Sequence, residues 1–145
     1  MLYFDTSVLL PTIIEETYST QAQNWLADTI PGQCMTSYWA QVEFASAIRR
    51  RIRMGQLTLE QAELANHVFQ RLLDESFVVV VPHLSDFKTA KHFLESYKTG
   101  LRAGDALHLA IAQNQRATKV YTLDHIMAAA AKVIGIPVAR IPEGL

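Results

Sequence analysis

The sequence contains little cysteine, little net charge and no long apolar run. Cys34 is the single cysteine, which excludes an internal disulfide and a cysteine-based zinc cluster and fits a reducing compartment. The formal charge of -1 at pH 7 excludes binding of nucleic acid through a strongly basic overall field. No apolar run is long enough to cross a membrane, and residues 1–5 lack the basic region of a signal peptide. We therefore expect a cytoplasmic protein that does not enter the membrane.

Motifs for nucleotide cofactors and for zinc are also missing. The glycines form neither a dinucleotide fingerprint nor a phosphate-binding loop. The histidines lack the spacing of zinc ligands, and we expect His108 to be a packed helix residue, with a place behind a metal site as the alternative. No repeat and no Gly/Ser-rich linker divides the chain. With 145 residues, 50% of them hydrophobic, the sequence predicts one domain over residues 1–145.

Short apolar or β-branched segments alternate with segments of helical period. The predicted strands cover residues 2–4, 34–36, 77–81, 119–122 and 138–141. An amphipathic helix is predicted over 38–52 and ends near Gly55. Thr58 and Gln61 form a capping box for the next helix, and Ser85 is predicted to cap a later one. Continuously apolar strands between helices predict a three-layer α/β/α domain with a mostly parallel sheet of about five strands.

Two acids follow predicted strands. Asp5 comes directly after the first strand, and Asp124 comes after the fourth, separated from it by Leu123. In open α/β sheets, ligands bind in the crevice beyond the carboxyl ends of the strands. For an isolated aspartate, capping of the following helix is the favoured interpretation, and Thr6 or Ser7 can cap in place of Asp5.

Two further acids lie in apolar surroundings. Glu43 falls within the predicted helix 38–52, and Asp105 stands between Gly104 and Ala106 before an apolar run. The alternatives are a solvated helix position for Glu43 and a favourable first-turn charge for Asp105. Acids in apolar surroundings usually have partners, and acids from separate segments can converge at one edge of the sheet.

A cluster of carboxylates calls for cations. Hard divalent ions with oxygen ligands neutralise such a cluster, which predicts Mg²⁺ or Mn²⁺ rather than zinc. One or two such ions can activate water and stabilise the charge that develops on a phosphodiester. The acids therefore predict hydrolysis of a nucleic-acid strand that leaves a 5′-phosphate and a 3′-hydroxyl.

Four segments resemble the PIN-domain family in order and spacing, and within it the VapC-type toxins of toxin-antitoxin pairs. They are residues 2–9 (LYFDTSVL), 42–47 (VEFASA), 101–110 (LRAGDALHLA) and 122–124 (TLD). The resemblance covers nearly the whole chain, and the third segment is its most specific part. It implies catalytic, metal-binding acids at Asp5, Glu43, Asp105 and Asp124, and supporting hydroxyls at Thr6, Ser7 and Thr122.

The resemblance also implies an activity and partners. It implies a Mg²⁺- or Mn²⁺-dependent endoribonuclease that acts on RNA, forms a homodimer and is bound by a cognate antitoxin protein. The sequence departs from the family at the fourth acid, which many relatives carry in a polar stretch followed by an aromatic residue. Here His-Ile-Met follows Asp124, which leaves open whether this acid binds the metal directly or through water.

Cations near the acids are candidates for RNA contacts. Arg50 lies about two helical turns beyond Glu43 on the same face, and we predict that it contacts RNA phosphates. Lys98 and Arg102 precede Asp105 and are candidates for holding the scissile phosphate. For each of them, a solvated surface cation is the alternative.

Two other functions stay open at this stage. A catalytically silent PIN-fold binding module would hold a basic peptide in the acidic groove, but such a module has little reason to keep four acids. A haloacid-dehalogenase-like phosphatase also has an apolar strand that ends in Asp, but it requires a second acid two residues later, where Ser7 stands. The sequence therefore favours the metal-dependent endoribonuclease.

Overall fold

A parallel sheet forms the centre of the protein, for which a computed structural model describes residues 1–140. Its strands are β1 (Leu2–Phe4), β2 (Cys34–Ser37), β3 (Phe77–Val80), β4 (Lys119–Thr122) and β5 (Val138–Arg140). They pair in the order β3-β2-β1-β4-β5, and every pair is parallel. The predicted sheet is confirmed and is entirely parallel in this part of the chain. Val81 lies just after β3, and the predicted strand residue Ile141 lies outside the described residues.

Helices cover both faces of the sheet. They are α1 (Thr6–Ile13), α2 (Ser19–Ala27), α3 (Tyr38–Arg53), α4 (Leu59–Ser76), α5 (Leu84–Ser96), α6 (Ala103–Asn114) and α7 (His125–Ile134). Tyr3 of β1 packs into a core with α5, α6 and α7, whereas the adjacent Phe4 packs into a second core with α1 to α4. This alternation explains why the strands are apolar throughout, and the three-layer α/β/α prediction is confirmed. Within residues 1–140, no helix combines the length and the apolar character needed to cross a membrane.

The helix ends follow the sequence signals at two of three predicted points. Thr58 and Gln61 form the capping box of α4, with backbone-to-side-chain bonds of 2.9 and 3.1 Å. Gly55 has φ +71° just after α3, as expected of a glycine that ends a helix. The prediction that Ser85 caps a helix is wrong, because α5 already begins at Leu84. The backbone N–H of its N-cap, His83, is instead satisfied by the Asp86 carboxylate at 2.8 Å.

The direction of the strand order changes at β1. From β1 the chain builds outward through β2 to β3 on one side, and later adds β4 and β5 on the other. The backbone N–H of Asp5 still donates to the carbonyl of Tyr121, at 3.2 Å, so the ends of β1 and β4 lie side by side. A parallel sheet binds ligands beyond the carboxyl ends of its strands at such a reversal.

Candidate metal and catalytic site

Asp5 is held by donors on both of its carboxylate oxygens. Oδ1 accepts hydrogen bonds from Ser7 Oγ at 2.6 Å and from the backbone N–H of Val8 at 3.2 Å, and Oδ2 accepts from Thr122 Oγ1 at 2.6 Å. The side chain is buried, and burial raises the pKa of Asp5 although these hydrogen bonds lower it. Asp5 is therefore the N-cap of α1, and the alternative of capping by Thr6 or Ser7 is wrong.

The two hydroxyls beside Asp5 also connect the ends of β1 and β4. Ser7 Oγ accepts from the backbone N–H of Leu123 at 2.8 Å, while Thr122 Oγ1 accepts from that of Asp124 at 3.0 Å. Each hydroxyl thus donates to the Asp5 carboxylate and accepts from the chain after β4. The carboxylate is fixed in place by this pair.

Glu43 is oriented by contacts from two other helices. Its Oε1 accepts from Thr6 Oγ1 at 2.7 Å on α1 and is hydrogen-bonded to His108 Nε2 on α6. Burial raises the pKa of Glu43, but the interactions with His108 and Thr6 outweigh it, so the pKa lies below its ordinary value. The side chain is 29% exposed. Glu43 is therefore an anchored carboxylate, and the alternative of a merely solvated position is wrong.

His108 belongs to a buried chain of polar side chains. Its Nδ1 is 2.7 Å from the Tyr3 hydroxyl, which is 2.9 Å from Ser37 Oγ. His108 is 1% exposed, so it is packed in α6 as predicted, and both ring nitrogens also have partners. Sequence reasoning missed Tyr3 and Ser37. The available signal was the histidine itself, since a buried imidazole requires hydrogen-bond partners.

The pKa of Asp105 is affected by the other three acids. It lies in the first turn of α6, as its alternative interpretation required. Burial raises its pKa to about 6, and the negative charges of Asp124, Asp5 and Glu43 contribute to the same rise. The structure therefore brings the other three predicted acids within electrostatic range of Asp105.

Asp124 is the N-cap of α7 and keeps one oxygen free of capping bonds. Oδ1 accepts from the backbone N–H groups of Ile126 and Met127, at 2.8 and 3.0 Å. Oδ2 lies 4.0 Å from Arg102 Nη2, whose side chain is 74% exposed. Capping thus uses one oxygen of the Asp124 carboxylate, and the other oxygen lies near the Arg102 guanidinium.

Arg50 lies apart from the acids. It is exposed on α3, about 10 Å along the helix axis from Glu43. Within residues 1–140 it forms no ion pair with any of the acids. Its neighbour Arg51 pairs instead with Glu16. The predicted contact of Arg50 with RNA therefore stays a prediction.

Gly104 lies against Glu43 and Trp39. A Cβ at this position would be 3.2 Å from Glu43 Oε2 and 3.3 Å from Trp39 Cζ2. The indole Nε1 of Trp39 is buried and has no hydrogen-bond partner among the described residues. The glycine before Asp105 thus allows α6 to approach α3, a contact that sequence reasoning did not find.

The composition of this site fits a hard divalent cation. Among residues 1–140, no three His, Cys, Asp or Glu side chains are already arranged as a metal-binding group. The candidate ligands are carboxylate oxygens from four segments, and burial, together with the neighbouring negative charges, disfavours the ionised form of Asp105. Oxygen donors with excess negative charge are what Mg²⁺ and Mn²⁺ prefer, whereas zinc favours nitrogen and sulfur.

A comparison with protein families identifies the family of this chain. Residues 2–133 match the PIN domain, and the chain belongs to the PIN-domain family. A comparison with curated proteins found no match.

Solved structures of toxins share the fold. The Mycobacterium tuberculosis toxin VapC20, described as cleaving the sarcin-ricin loop, has a TM-score of 0.73 at 19% identity, over 90% of this chain and 95% of that one. A Klebsiella pneumoniae toxin-antitoxin complex has a TM-score of 0.63 at 20% identity, over 96% of both chains. VapBC2 from Rickettsia felis, bound to a promoter DNA fragment, has a TM-score of 0.68 at 12% identity, over 97% of this chain and 98% of that one. At these identities the likeness shows the fold alone.

Proposed function

We propose that the protein is a Mg²⁺- or Mn²⁺-dependent endoribonuclease and the toxin of a toxin-antitoxin pair. The observation that carries this proposal is the convergence of Asp5, Glu43 and Asp124 on Asp105, whose pKa is raised to about 6 in their presence. Membership of the PIN-domain family supports a nuclease. The likeness to VapC20, which is described as cleaving the sarcin-ricin loop, supports RNA as the substrate.

The four acids differ in how firmly hydrogen bonds hold them, and their proposed roles differ accordingly. Asp5 and Glu43 are fixed by hydroxyl and imidazole donors, so they present oxygens in set positions. Burial raises the pKa of both Asp5 and Asp105, so a bound cation would relieve the cost of their charges. Oδ1 of Asp124 caps α7, so its Oδ2 is the oxygen left to interact with a metal, directly or through water.

Together these acids would hold one or two Mg²⁺ or Mn²⁺ ions. A cation held there would act as a Lewis acid, activating water and stabilising charge on the phosphodiester. Arg102, which is exposed and lies 4.0 Å from the Asp124 carboxylate, would contact a phosphate that enters the site. Water attacks the phosphorus in line with the departing 3′-oxygen, which leaves a 5′-phosphate and a 3′-hydroxyl.

The toxin assignment implies partners and a setting. We infer a cytoplasmic homodimer of single-domain chains, 1–145, whose activity is blocked by a cognate antitoxin protein. The structural likeness to a Klebsiella pneumoniae toxin-antitoxin complex supports the partner. Co-purification of the chain with the product of an adjacent gene would identify that antitoxin.

The test is metal-dependent cleavage of RNA. Purified protein is incubated with a panel of RNAs that includes transfer RNAs, with Mn²⁺ or with EDTA. The Asp105→Asn variant tests the site, and Asp74→Asn, which changes an exposed carboxylate on α4, is the matched control. We expect cleavage by the wild type and by Asp74→Asn with Mn²⁺, and none with EDTA or by Asp105→Asn. Binding of Mn²⁺ by wild-type protein that cleaves no RNA would favour the catalytically silent binding module.

A further inference from the structure

A pocket lies between the loop before α6 and the outer face of α7, next to Asp124 at the start of that helix. We call it the α7 pocket, and its walls include Lys98, Gly100, His125, Ile126, Ala129 and Val133. His125 directly follows Asp124, and Arg102, two residues beyond Gly100, reaches to 4.0 Å from the Asp124 carboxylate. The volume of about 350 Å³ is within the range of small-ligand sites. The pocket therefore adjoins the proposed site and is large enough for one nucleobase.

The floor of the α7 pocket is apolar and open. Ile126, Ala129 and Val133 supply it, and Val133 is 59% exposed. A Cβ on Gly100 would lie 3.1 Å from Ile126 Cγ2, so the loop lies close against α7 with no side chain in between. An exposed apolar surface of this kind suits the face of an unstacked base.

The rim of the pocket complements a phosphate. Lys98 is exposed at one side and His125 at the other, and both side chains can donate hydrogen bonds. The neighbouring carboxylates repel an incoming RNA strand, so cations are needed at the edge of the acidic site to hold its backbone. An apolar floor with cationic and imidazole groups at its rim matches a nucleotide better than it matches an apolar peptide.

We propose that the α7 pocket binds the base of a nucleotide next to the scissile phosphate of single-stranded RNA, with Lys98 on that nucleotide's phosphate. The inference rests on the proposed ribonuclease function and deepens it, because a base held here, with its phosphate on Lys98, fixes which phosphodiester of the strand lies beside the acids.

Two variants and one control test the proposal in the full-length protein. Ala129→Phe fills the pocket from an exposed position, and Lys98→Ala removes the rim cation. Lys132→Ala removes an exposed cation from the same helix at a position that does not line the pocket. Their melting temperatures show whether each variant is folded. The readout is the single-turnover cleavage rate with Mn²⁺ on an RNA that the wild type cuts, and on copies that carry one abasic nucleotide at successive positions.

We expect one abasic position beside the cut to slow the wild type by roughly five- to hundredfold, since a stacked base contributes about 1–3 kcal/mol. In Ala129→Phe the same abasic substitution should not slow cleavage further, because the filled pocket no longer admits a base. Lys98→Ala should slow cleavage and reduce the slope of log rate against log salt by about 1, which corresponds to one phosphate contact. The cleavage rate of Lys132→Ala should stay within about twofold of that of the wild type.

The outcomes separate this proposal from the one on which it rests. Metal-dependent cleavage with equal abasic profiles in the wild type and Ala129→Phe, or equal rates in Lys98→Ala and Lys132→Ala, overturns the base pocket and leaves the nuclease intact. Unchanged cleavage combined with loss of antitoxin binding overturns it and assigns the pocket to the protein partner. Absence of any cleavage by wild-type protein with bound Mn²⁺ overturns both proposals.

Discussion

His108 and Glu43 are hydrogen-bonded across the contact between α6 and α3, from Nε2 of the imidazole to Oε1 of the carboxylate. On its other side, His108 is bonded to the Tyr3 hydroxyl at 2.7 Å. The same Oε1 accepts from Thr6 at 2.7 Å, so two donors determine where the carboxylate points. A buried polar chain in which every member has a partner fixes its side chains. Glu43 is therefore oriented before any ligand arrives.

We predict that His108→Leu weakens Mn²⁺ binding roughly ten- to hundredfold, because Glu43 is a proposed metal ligand and removing the partner that orients a ligand usually has an effect of this size. Tyr3→Phe is the matched control, since it shortens the buried chain by one hydroxyl but keeps the imidazole on Glu43. Isothermal titration calorimetry gives both affinities. If His108→Leu binds Mn²⁺ as the wild type does, Glu43 is not oriented through this contact.

The Asp105 carboxylate should destabilise the metal-free protein. Burial and neighbouring charges raise its pKa, so the folded state resists its ionisation at neutral pH. Asp105→Asn should therefore raise the melting temperature without metal and abolish the further rise that Mn²⁺ gives to the wild type. Thermal melts with and without Mn²⁺ measure both effects. A lower melting temperature for Asp105→Asn would mean that the residue stabilises the fold.

The same group predicts a dependence of stability on pH. The pKa of Asp105 is about 6 in the folded state, and its ordinary value of 3.8 applies to the unfolded state. Between these two pH values the folded protein therefore binds more protons than the unfolded chain. Its contribution to the free energy of unfolding then falls as pH rises through this window. The advantage of Asp105→Asn over the wild type should be largest at pH 7 and nearly gone at pH 4. Urea titrations across this range measure it, and a constant difference would contradict the raised pKa.

Thr122 should matter more than another buried threonine of the sheet. Its hydroxyl donates to Asp5 Oδ2 at 2.6 Å, whereas the equally buried Thr36 donates to the carbonyl of Phe4 at 2.8 Å. Thr122→Val removes a donor from a buried carboxylate, which should lower stability by about 1–3 kcal/mol and raise the pKa of Asp5 further.

The comparison with Thr36→Val isolates the effect of the carboxylate. Both changes delete one buried hydroxyl, but we expect only Thr122→Val to weaken Mn²⁺ binding, since only Thr122 contacts an acid. Urea unfolding and calorimetric titration provide the two readouts. Similar losses of Mn²⁺ affinity in both variants would indicate a general effect on the sheet.

The order of layers and strands could be predicted because local patterns determine them. β1 and β4 have the bounds that their apolar runs indicate, and the capping box at Thr58 and Gln61 begins α4. In contrast, α2 (Ser19–Ala27) gave no clear signal, because only Ser19 and Ala22 on it are buried. A helix that buries so little carries little apolar periodicity.

The candidate site was only partly readable from the sequence. Acids that follow strands can be found from position alone, as at Asp5 and Asp124, because the sheet brings strand ends together. The contact of His108 with Glu43 joins residues 65 positions apart and depends on how α6 packs against α3. Packing of this kind has no local pattern, so the sequence left His108 with two interpretations.

Two of the four acids are also helix N-caps. The effect on stability of losing an acid in evolution therefore differs from one acid to another. Asp5 and Asp124 cap α1 and α7, and an N-cap aspartate is typically worth about 1 kcal/mol of stability whatever the protein does. Glu43 and Asp105 cap no helix, and the carboxylate of Asp105 opposes folding at neutral pH. A descendant released from selection for cleavage should therefore keep Asp124, which caps α7, and lose Asp105, whose charge opposes folding. Among relatives of this chain, Asp105 is the position at which inactive lineages should first become visible.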